Sequence, residues 1–203
     1  MVRIRPREYV GAFANPLKGF CPDIPSPDGG SGLGLDNPLA TVARHYIRWH
    51  QIEDSASDGV EKILEFCHPR WAGIEKRNLK INPRVYLYWP DQYFWSRDLR
   101  AGDYGSRKFL YRLGKLIAKL GAAWNRDPRV AYVETGIVGP CGEQWNPTIH
   151  AELKKVIGDS YVSAFPDKLC MIRYSWQWPD YQFGNGSTVL DSGKLRQENS
   201  VLV

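Results

Sequence analysis

Two glutamates and a tryptophan lie at the end of one strand-like stretch, RVAYVETGIVGPCGEQWNP, Arg129 to Pro147. Glu134 interrupts an apolar run that is rich in β-branched and aromatic residues. Glu143 follows three glycines and a proline, which break the strand and allow the chain to fold closely around something. A buried carboxylate is costly unless it is paired, protonated or used. Acids at such a place are therefore candidates for general acid and base chemistry.

Glu143 is the first candidate for this chemistry, and Glu134 is the second. For Glu143 a structural alternative stays open, in which the carboxylate accepts backbone N–H groups of its own loop. For Glu134 we favour an ion pair with Arg48 or Arg173, because buried charges are normally paired.

Aromatic and polar side chains also follow the ends of the other predicted strands. Aromatic rings stack on the C–H faces of sugars, while acids and amides bind sugar hydroxyls, so this combination predicts a carbohydrate ligand. The alternative is that many of these aromatic residues are core, since a barrel interior is packed. The candidate ligand contacts are Arg48, Trp49, His50, Glu53, Trp89, Gln144, Trp145, Arg173 and Trp176.

The elements that carry these residues alternate between strand and helix. Alternation predicts an α/β fold with parallel strands, in which functional groups lie beyond the carboxyl ends of the strands. Residues 1–20 are predicted to form a short strand or an ordered arm, and residues 21–38 a loop. Beyond residue 178 no periodic element is predicted.

The predicted strands cover 43–52, 82–89, 129–134 and 168–176, and the predicted helices 59–67, 106–124 and 148–157. The helix over 106–124 has a continuous apolar stripe and Ser106 as its predicted N-cap. Thr148 is predicted to cap the last helix and Gly158 to end it.

The composition excludes several other classes of protein. With 203 residues, 43% hydrophobic and 24% charged, the chain resembles an ordinary globular domain. The net charge of +5 raises the question of nucleic acid, but much of the basic excess falls on one exposed helix face over 106–124, so no nucleic-acid partner is predicted. No membrane span and no signal peptide are predicted, which indicates a cytoplasmic chain as read, or a secreted one if the true N-terminus is missing.

The sequence contains no arrangement of residues that is typical of a metal site or a cofactor site. The four histidines are scattered, and the four cysteines contain no CxxC pair, so no metal site is predicted. Cys67 and Cys170 are predicted to be buried thiols. No glycine-rich phosphate loop is present, and no cofactor is predicted.

Several segments together resemble a known family, domain-of-unknown-function 4832, whose members are (β/α)8-barrel proteins related to retaining glycoside hydrolases. The Arg129–Pro147 stretch is the most specific of these segments, although the family usually has Trp where Cys141 stands. The other matching pieces are NPLKGF (15–20), YIRWHQIED (46–54), the strand 168–174 and, more loosely, FGNGSTVLDSG (183–193).

The resemblance implies a partial or truncated TIM-type barrel, because a full barrel needs about 250 residues. Residues 1–203 would form a single glycosidase-like barrel domain that is incomplete at its C-terminus. In the related hydrolases the acid/base follows the fourth strand and the nucleophile lies on the seventh. Arg129–Pro147 would be the fourth strand if the N-terminal arm is counted first, and the seventh would be absent.

Three hypotheses about function therefore stay open. The chain could be a glycoside-hydrolase-like protein, active if a second carboxylate is supplied. It could be a non-catalytic, carbohydrate-binding relative. It could also be an inactive truncated fragment, and two such half barrels could form a homo-oligomer that closes the sheet.

Overall fold

The chain folds around a parallel β-sheet with helices packed against it. The computed structural model describes residues 17, 20–25, 35–145, 148–181 and 190–191. The strands are β1 (Val42–Arg48), β2 (Lys80–Tyr86), β3 (Tyr88–Trp89), β4 (Gln92–Tyr93), β5 (Tyr132–Ile137), β6 (Leu169–Ile172) and β7 (Leu190–Asp191). The helices are α1 (Trp49–Ile52), α2 (Val60–Arg70), α3 (Arg107–Trp124) and α4 (Ala151–Ala164).

The main sheet has the strand order β1-β2-β5-β6-β7, and every neighbouring pair is parallel. Parallel neighbours need a crossover connection, and α2, α3 and α4 supply the first three of these. The remaining two strands, β3 and β4, form a small antiparallel hairpin after β2. The predicted α/β fold with parallel strands is confirmed.

A further parallel contact precedes β1. The amide of Ile24 donates to the carbonyl of Arg44 at 2.7 Å, and the amide of Arg44 donates to the carbonyl of Pro22 at 2.8 Å. The predicted loop over 21–38 forms no strand or helix in its described residues, but it makes one isolated parallel bridge to β1 at Asp23. Prolines and glycines elsewhere in the stretch hid this contact from sequence patterns.

Within the described strands β5 is the third in the order of the sheet. The fourth position that the family resemblance implies for the Arg129–Pro147 stretch depends on the predicted arm at 1–20 and stays a prediction. The predicted arm at 1–20 lies outside the described residues except for Leu17 and Phe20, and so does most of the segment 183–193. The short strand β7 lies in the region where no element was predicted.

The two faces of the sheet differ in chemistry because successive side chains of a strand point to opposite sides. The face toward the helices is apolar and fully buried, with Ala43, Ile47, Ile81, Val85, Val133, Cys170 and Ile172 each at most 1% exposed. The opposite face, called the inner face below, carries Arg44, Tyr46, Asn82, Arg84, Tyr132, Glu134 and Met171.

Helix α3 packs its apolar stripe on the apolar face of the sheet. Phe109, Leu113, Leu116, Ile117, Leu120 and Trp124 are all at most 1% exposed. Each such side chain stabilises the fold by about 1.5–3 kcal/mol relative to an exposed one. The predicted N-cap is confirmed, since the Ser106 hydroxyl accepts from the Phe109 amide at 3.2 Å. None of the described helices is long and apolar enough to cross a membrane.

The predicted bounds of α4 are wrong at both ends. His150 rather than Thr148 caps the helix, because its Nδ1 accepts from the Leu153 amide at 3.3 Å. Gly158 does not end the helix but lies inside it. A Cβ at Gly158 would come within 2.3 Å of the ring of Tyr181, so this glycine serves close packing rather than termination.

Three of the predicted strands end too late. The residues after Arg48 turn into the short helix α1 instead of continuing β1. Tyr88 and Trp89 leave the main sheet for the β3–β4 hairpin, and Ser175–Gln177 forms a 3-10 turn rather than the end of β6. Apolar and aromatic residues continue through all three boundaries, so residue type alone did not mark them.

The predicted buried thiols are confirmed. Cys67 on α2 and Cys170 on β6 are at most 1% exposed, and burial raises the pKa of each to about 12. All four cysteines are free.

One histidine lies in the core beneath α2. His45 on β1 is 1% exposed, and its Nδ1 accepts from the indole N–H of Trp71 at 2.9 Å. Burial, together with the nearby charge of Arg70, lowers its pKa from 6.5 to about 3. The folded protein therefore holds His45 neutral at pH values where an unfolded chain protonates it.

We expect the free energy of unfolding to fall as the pH drops from about 6.5 toward 3, since only the unfolded state then binds a proton at His45. Below about pH 6.5 the free energy of unfolding falls by about 1.4 kcal/mol per pH unit. Between pH 7 and pH 5 the loss is about 2 kcal/mol, because the slope is small above pH 6.5. Urea unfolding of wild type and His45→Gln at both pH values measures it. The variant keeps an acceptor for Trp71 and should lose most of this pH dependence; an equal pH dependence in both proteins contradicts the assignment.

Candidate functional site

One row of side chains crosses the inner face of the sheet. Tyr46, Arg84, Glu134 and Met171 are register partners on β1, β2, β5 and β6. They therefore project on the same side of four neighbouring strands. The guanidinium of Arg84 donates from Nη1 to the Tyr46 hydroxyl at 3.2 Å. Arg84 thus links the row across two strands.

Glu134 forms a buried ion pair in the middle of this row. Its Oε2 contacts Nη2 of Arg84, and its Oε1 accepts from Asn82 Nδ2 at 2.7 Å. Glu134 and Arg84 are 6% and 8% exposed. An ion pair was predicted, but the predicted partners Arg48 and Arg173 are wrong, because Arg84 is the direct neighbour across β2 and β5.

Glu143 lies in the loop that follows β5 and is more accessible, with 28% of its side chain exposed. Its Oε1 is 3.2 Å from Nη1 of Arg173 and 3.8 Å from Nη1 of Arg84. Arg84 therefore lies between the two candidate carboxylates and contacts both. We call Tyr46, Trp89, Arg84, Glu143 and Arg173 the Glu143 cluster.

The electrostatics of the cluster depend on the buried guanidinium of Arg84. Burial lowers the pKa of Arg84, and the nearby positive charges of Arg44 and Arg173 lower it further. Tyr46 and Glu143 raise this pKa, but by less than burial lowers it. Arginine titrates so high that the group stays charged. Burial also raises the pKa of Tyr46, so its hydroxyl remains protonated and polar at neutral pH.

The backbone from the last residue of β5 to Gln144 contains strained conformations. Ile137, Cys141 and Gln144 have φ angles of 67°, 56° and 63°. Positive φ is uncommon outside glycine and is unfavourable for a β-branched residue. Such conformations cost on the order of 1–3 kcal/mol each and persist where the surroundings impose them, often at functional sites.

Gln144 fastens this loop to the end of β5. Its Nε2 donates to the Thr135 hydroxyl at 2.9 Å and to the Thr135 carbonyl at 3.3 Å. Its backbone amide donates to the carbonyl of Val138 at 2.8 Å. Because Gln144 is only 2% exposed, its side chain holds the loop in place and is not accessible to a ligand in this conformation.

Two glycines let the loop return onto the sheet. A Cβ at Gly136 would lie 2.2 Å from the carbonyl oxygen of Val85. At Gly142, where φ is 70°, a Cβ would lie 3.1 Å from the backbone of Gly136, Ile137 and Val85. The loop therefore closes on the chain's own backbone, and this close return places Glu143 beside Arg84.

Trp89 is the exposed aromatic member of the cluster. It is 43% exposed, and its ring meets Tyr46 and Tyr86 edge-on, with centroids 6.3 Å and 6.2 Å away. Since Tyr46 also contacts Arg84, contacts run without interruption from Trp89 to Glu143. A charged group and an exposed ring thus share one surface.

Arg48 and His50 gather next to Trp89 around Phe94. The guanidinium of Arg48 stacks 3.9 Å from the Phe94 ring centroid, and its Nε donates to the Tyr86 hydroxyl at 3.4 Å. The His50 ring meets Phe94 edge-on at 5.7 Å. Both residues are half-buried near the ends of β1 and β2.

Two predicted ligand contacts are placed in the core instead. Trp49 and Glu53 are both 0% exposed. Glu53 accepts from Arg112 and Lys119 on α3 at 2.6 Å each and from the Trp49 indole at 3.2 Å. A fully buried side chain does not reach a ligand in this conformation, so these residues hold α1 against α3.

The remaining predicted contacts lie on the loops after β5 and β6. Trp145 and Trp176 are 55% and 65% exposed. Trp176 packs on Tyr174, with ring centroids 4.9 Å apart. Trp145 lines a pocket of about 290 Å³ between these loops, to which no residue of the Glu143 cluster contributes.

Sequence patterns missed the residues that organise this site, namely Tyr46, Asn82 and Arg84. A signal for the last two exists: in NPRVYL the residues Asn82, Arg84 and Tyr86 alternate with apolar neighbours. A polar residue at every second position of a strand indicates one polar face. Which acid Arg84 would face was not readable, because register depends on the partner strand.

Metal ligands do not gather in the part of the chain that the structure describes. Within it, no three histidine, cysteine, aspartate or glutamate side chains are grouped so as to hold a metal ion.

No protein-family model matches the chain, and no curated protein matches it. The resemblance to the domain-of-unknown-function 4832 family therefore stays a prediction. The chain is similar to several solved structures, of which two are described. An exo-beta-1,4-mannosidase from Opitutaceae bacterium strain TAV5 has a TM-score of 0.54 and 13% identity, over 68% of this chain and 26% of that chain. A GH5_18 protein from Streptomyces cattleya in complex with GlcNAc has a TM-score of 0.53 and 14% identity, over 71% of this chain and 39% of that chain.

These neighbours are glycoside hydrolases with a TIM-barrel fold. The chain therefore has a glycoside-hydrolase-like fold, an arc of parallel strands and helices of the TIM-barrel type. It spans between about a quarter and two fifths of the length of these two structures. At such low identity the likeness concerns the fold alone.

Removing the cation of the buried pair should destabilise the protein strongly. We expect Arg84→Met to lower the free energy of unfolding by about 3–5 kcal/mol, because Glu134 is left as an uncompensated buried charge. Adding Glu134→Gln should recover most of this loss. Urea unfolding measures both changes.

The matched control for this experiment is Arg126→Met, since the side chain of Arg126 is 92% exposed. We expect this control to change stability by less than about 0.5 kcal/mol. A loss in Arg84→Met no larger than in the control would show that the pair does not stabilise the fold.

The close return of the loop can be tested with two glycines of similar φ. Gly142 and Gly73 have φ values of 70° and 77°, but a Cβ at Gly73 meets nothing within 4 Å. Gly73→Ala should cost only the backbone strain, about 1–2 kcal/mol. Gly142→Ala should cost about 1–3 kcal/mol more through overpacking, as measured by urea unfolding. Equal losses in the two variants would contradict the close return.

Proposed function

We propose that the chain binds a carbohydrate at the Glu143 cluster, and that Glu143 transfers the proton in the hydrolysis of a glycoside. The observation that carries this proposal is the position of Glu143. Its part-exposed carboxylate follows a central parallel strand, contacts Arg173 and lies in one continuous set of contacts with the exposed ring of Trp89. In parallel α/β folds this end of the sheet is where functional groups act.

A carbohydrate suits the chemistry of this surface. Trp89 offers an exposed aromatic face to the C–H side of a sugar ring, and Tyr46, Glu143 and Arg173 offer polar groups to hydroxyls. The similar structures support the choice: one was solved with GlcNAc and another is an exo-beta-1,4-mannosidase. We extend this ligand class to the present chain as a proposal.

The two glutamates would have different roles. Glu143 is accessible and would donate or accept the proton at the glycosidic oxygen. Glu134 is buried, and its carboxylate is held by Arg84 and Asn82, so it would act by positioning Arg84 beside Glu143. Retaining hydrolysis needs a second carboxyl about 5–5.5 Å from the first. The proposal follows the family resemblance in expecting that group on a seventh strand of a barrel.

A second candidate function is carbohydrate binding without hydrolysis. The ion pair of Glu134 favours this second function, because a carboxylate that is already paired with Arg84 is a poor nucleophile. In both cases we propose that residues 1–203 belong to a single glycosidase-like barrel domain of the domain-of-unknown-function 4832 type. An inactive fragment remains the third hypothesis, and it predicts neither binding nor a cooperative melt.

The decisive experiment combines binding and turnover for wild type and Glu143→Gln. The protein is titrated with N-acetylglucosamine and methyl β-mannopyranoside while tryptophan fluorescence is followed, and it is incubated with methyl β-mannopyranoside to measure released mannose. Hydrolysis predicts that Glu143→Gln lowers the rate by about 10²–10⁴-fold, the usual contribution of a general acid or base.

Glu65→Gln on α2 is the matched control, because Glu65 is an exposed carboxylate outside the cluster. It should behave like wild type in both measurements. Binding without turnover in wild type would select the second candidate function for residues 1–203, since the second carboxyl that hydrolysis needs would then not be supplied to the site. No binding of either sugar by a cooperatively folded wild-type chain would overturn the proposal.

A further inference from the structure

The hairpin β3–β4 lies at the edge of the Glu143 cluster and has two different faces. Trp89 on β3 pairs with Gln92 on β4, and Tyr88 pairs with Tyr93. Because neighbouring residues of a strand point to opposite sides, Trp89 and Gln92 share one face and the two tyrosines share the other. Trp89 contacts Tyr46 of the inner face, so the face with Trp89 and Gln92 is the one on the side of the cluster.

A tight turn sets the positions of Trp89 and Gln92 relative to each other. The turn consists of Pro90 and Asp91, and Asp91 has a φ of 67°. The type and length of such a two-residue turn fix the register of a hairpin. The Cβ atoms of two directly opposed residues lie about 4.5–5.5 Å apart. The long side chain of Gln92 therefore brings its amide beside the ring of Trp89.

Both side chains of this pair are accessible to a ligand. Trp89 is 43% exposed, and Gln92 is exposed as well. Edge-on contacts with Tyr46 and Tyr86 hold the Trp89 ring, so this large side chain loses little conformational entropy when a ligand binds. The amide of Gln92 has one acceptor oxygen and a donor group with two hydrogens. The pair thus combines a fixed apolar surface with a group that both donates and accepts hydrogen bonds.

The hairpin is also close to the loop that carries the candidate carboxylate. Strand β3 lies against the turn Pro140–Gly142, and Glu143 is the next residue in the chain. A ligand on the Trp89 and Gln92 face is therefore a neighbour of this loop.

We propose that Gln92 is a specificity-determining residue of the carbohydrate site. The sugar ring stacks on Trp89, and the amide of Gln92 donates to one hydroxyl and accepts from a second hydroxyl on the adjacent ring carbon. The ligand class rests on the proposed function, whereas the location rests on the geometry of the hairpin. Stacking responds mainly to the C–H face of the ring, while the amide responds to the orientation of two hydroxyls.

The competing explanation is that Gln92 is only a solvated side chain near the tip of a hairpin, and that Trp89 serves to cover Tyr46 and Tyr86. The two explanations differ in what the loss of the amide does. A solvated Gln92 contributes nothing to the preference among sugars, so its replacement leaves that preference unchanged.

The experiment is an NMR titration of the ¹⁵N-labelled chain with methyl β-glucopyranoside, methyl β-mannopyranoside and methyl β-galactopyranoside, in which the backbone amide signals of the hairpin give the dissociation constants. The mannoside differs from the glucoside only at C2, and the galactoside differs from it only at C4. Two hydroxyls on adjacent ring carbons include the one at C2 or the one at C4. One of the two epimers therefore changes the orientation of a hydroxyl that Gln92 binds.

We expect the dissociation constants of wild type for the three sugars to span at least about fivefold, because one hydrogen bond contributes a factor of roughly 2–10. Gln92→Met, which keeps the length of the side chain but removes the amide, should weaken the best of the three about tenfold and bring the three constants together. Gln92→Ser is too short to reach the sugar and should give the same result. Trp89→Leu should weaken the binding of all three sugars at least tenfold.

Tyr93→Leu is the matched control, because Tyr93 follows Gln92 on the same strand but lies on the opposite face and is 63% exposed. This variant should keep all three dissociation constants of wild type. The amide spectrum of each variant, recorded without sugar, verifies its fold.

The role of Gln92 is overturned if wild type binds none of the three sugars, or if the folded Gln92 variants keep the constants of wild type. Binding that depends on Trp89 but not on Gln92 removes the role of Gln92 alone and leaves the proposed function standing. The opposite case is an unchanged rate of mannose release in Glu143→Gln together with an altered sugar preference in Gln92→Met. That result removes the proton transfer proposed for Glu143 and leaves Gln92 as the residue that selects the sugar.

Discussion

The ion pair between Arg84 and Glu134 is the interaction on which the inner face depends. Two charges buried together on neighbouring strands are tolerable only when they are paired and hydrogen-bonded, and Asn82 supplies the additional bond. Arg84 also reaches Tyr46 on one side and the backbone of Cys141 on the other. A single guanidinium therefore joins three strands to the loop that carries Glu143, and its removal would affect the fold and the site together.

That loop is held by close packing against unfavourable backbone angles. Ile137, Cys141 and Gln144 all adopt positive φ, and the turn returns onto the sheet only because Gly136 and Gly142 lack a Cβ. The strain is offset by the buried side chain of Ile137 and by the bonds of Gln144 to Thr135. Since these contacts hold the loop on the sheet, they also fix the place of Glu143 beside Arg84.

Acidic residues at strand ends serve two different purposes in this fold. Glu53 follows β1 but turns toward the helices, where it is fully buried. Ion pairs with Arg112 and Lys119 balance its charge there. Glu143 follows β5 and stays accessible on the other side of the sheet. The same residue type at equivalent positions thus stabilises helix packing in one case and forms a candidate site in the other, depending on the face that it meets.

The amino-acid sequence by itself determined the α/β alternation, the apolar stripe and cap of α3 and the buried thiols, because these follow from local periodicity and residue type. It also indicated that Glu134 needs a cationic partner. It did not determine that the partner is Arg84, that Glu53 is core, or that Gly158 lies within a helix. These were decided only by the tertiary structure, because strand register, the direction in which a strand-end side chain turns and the space beside a glycine depend on residues distant in the chain.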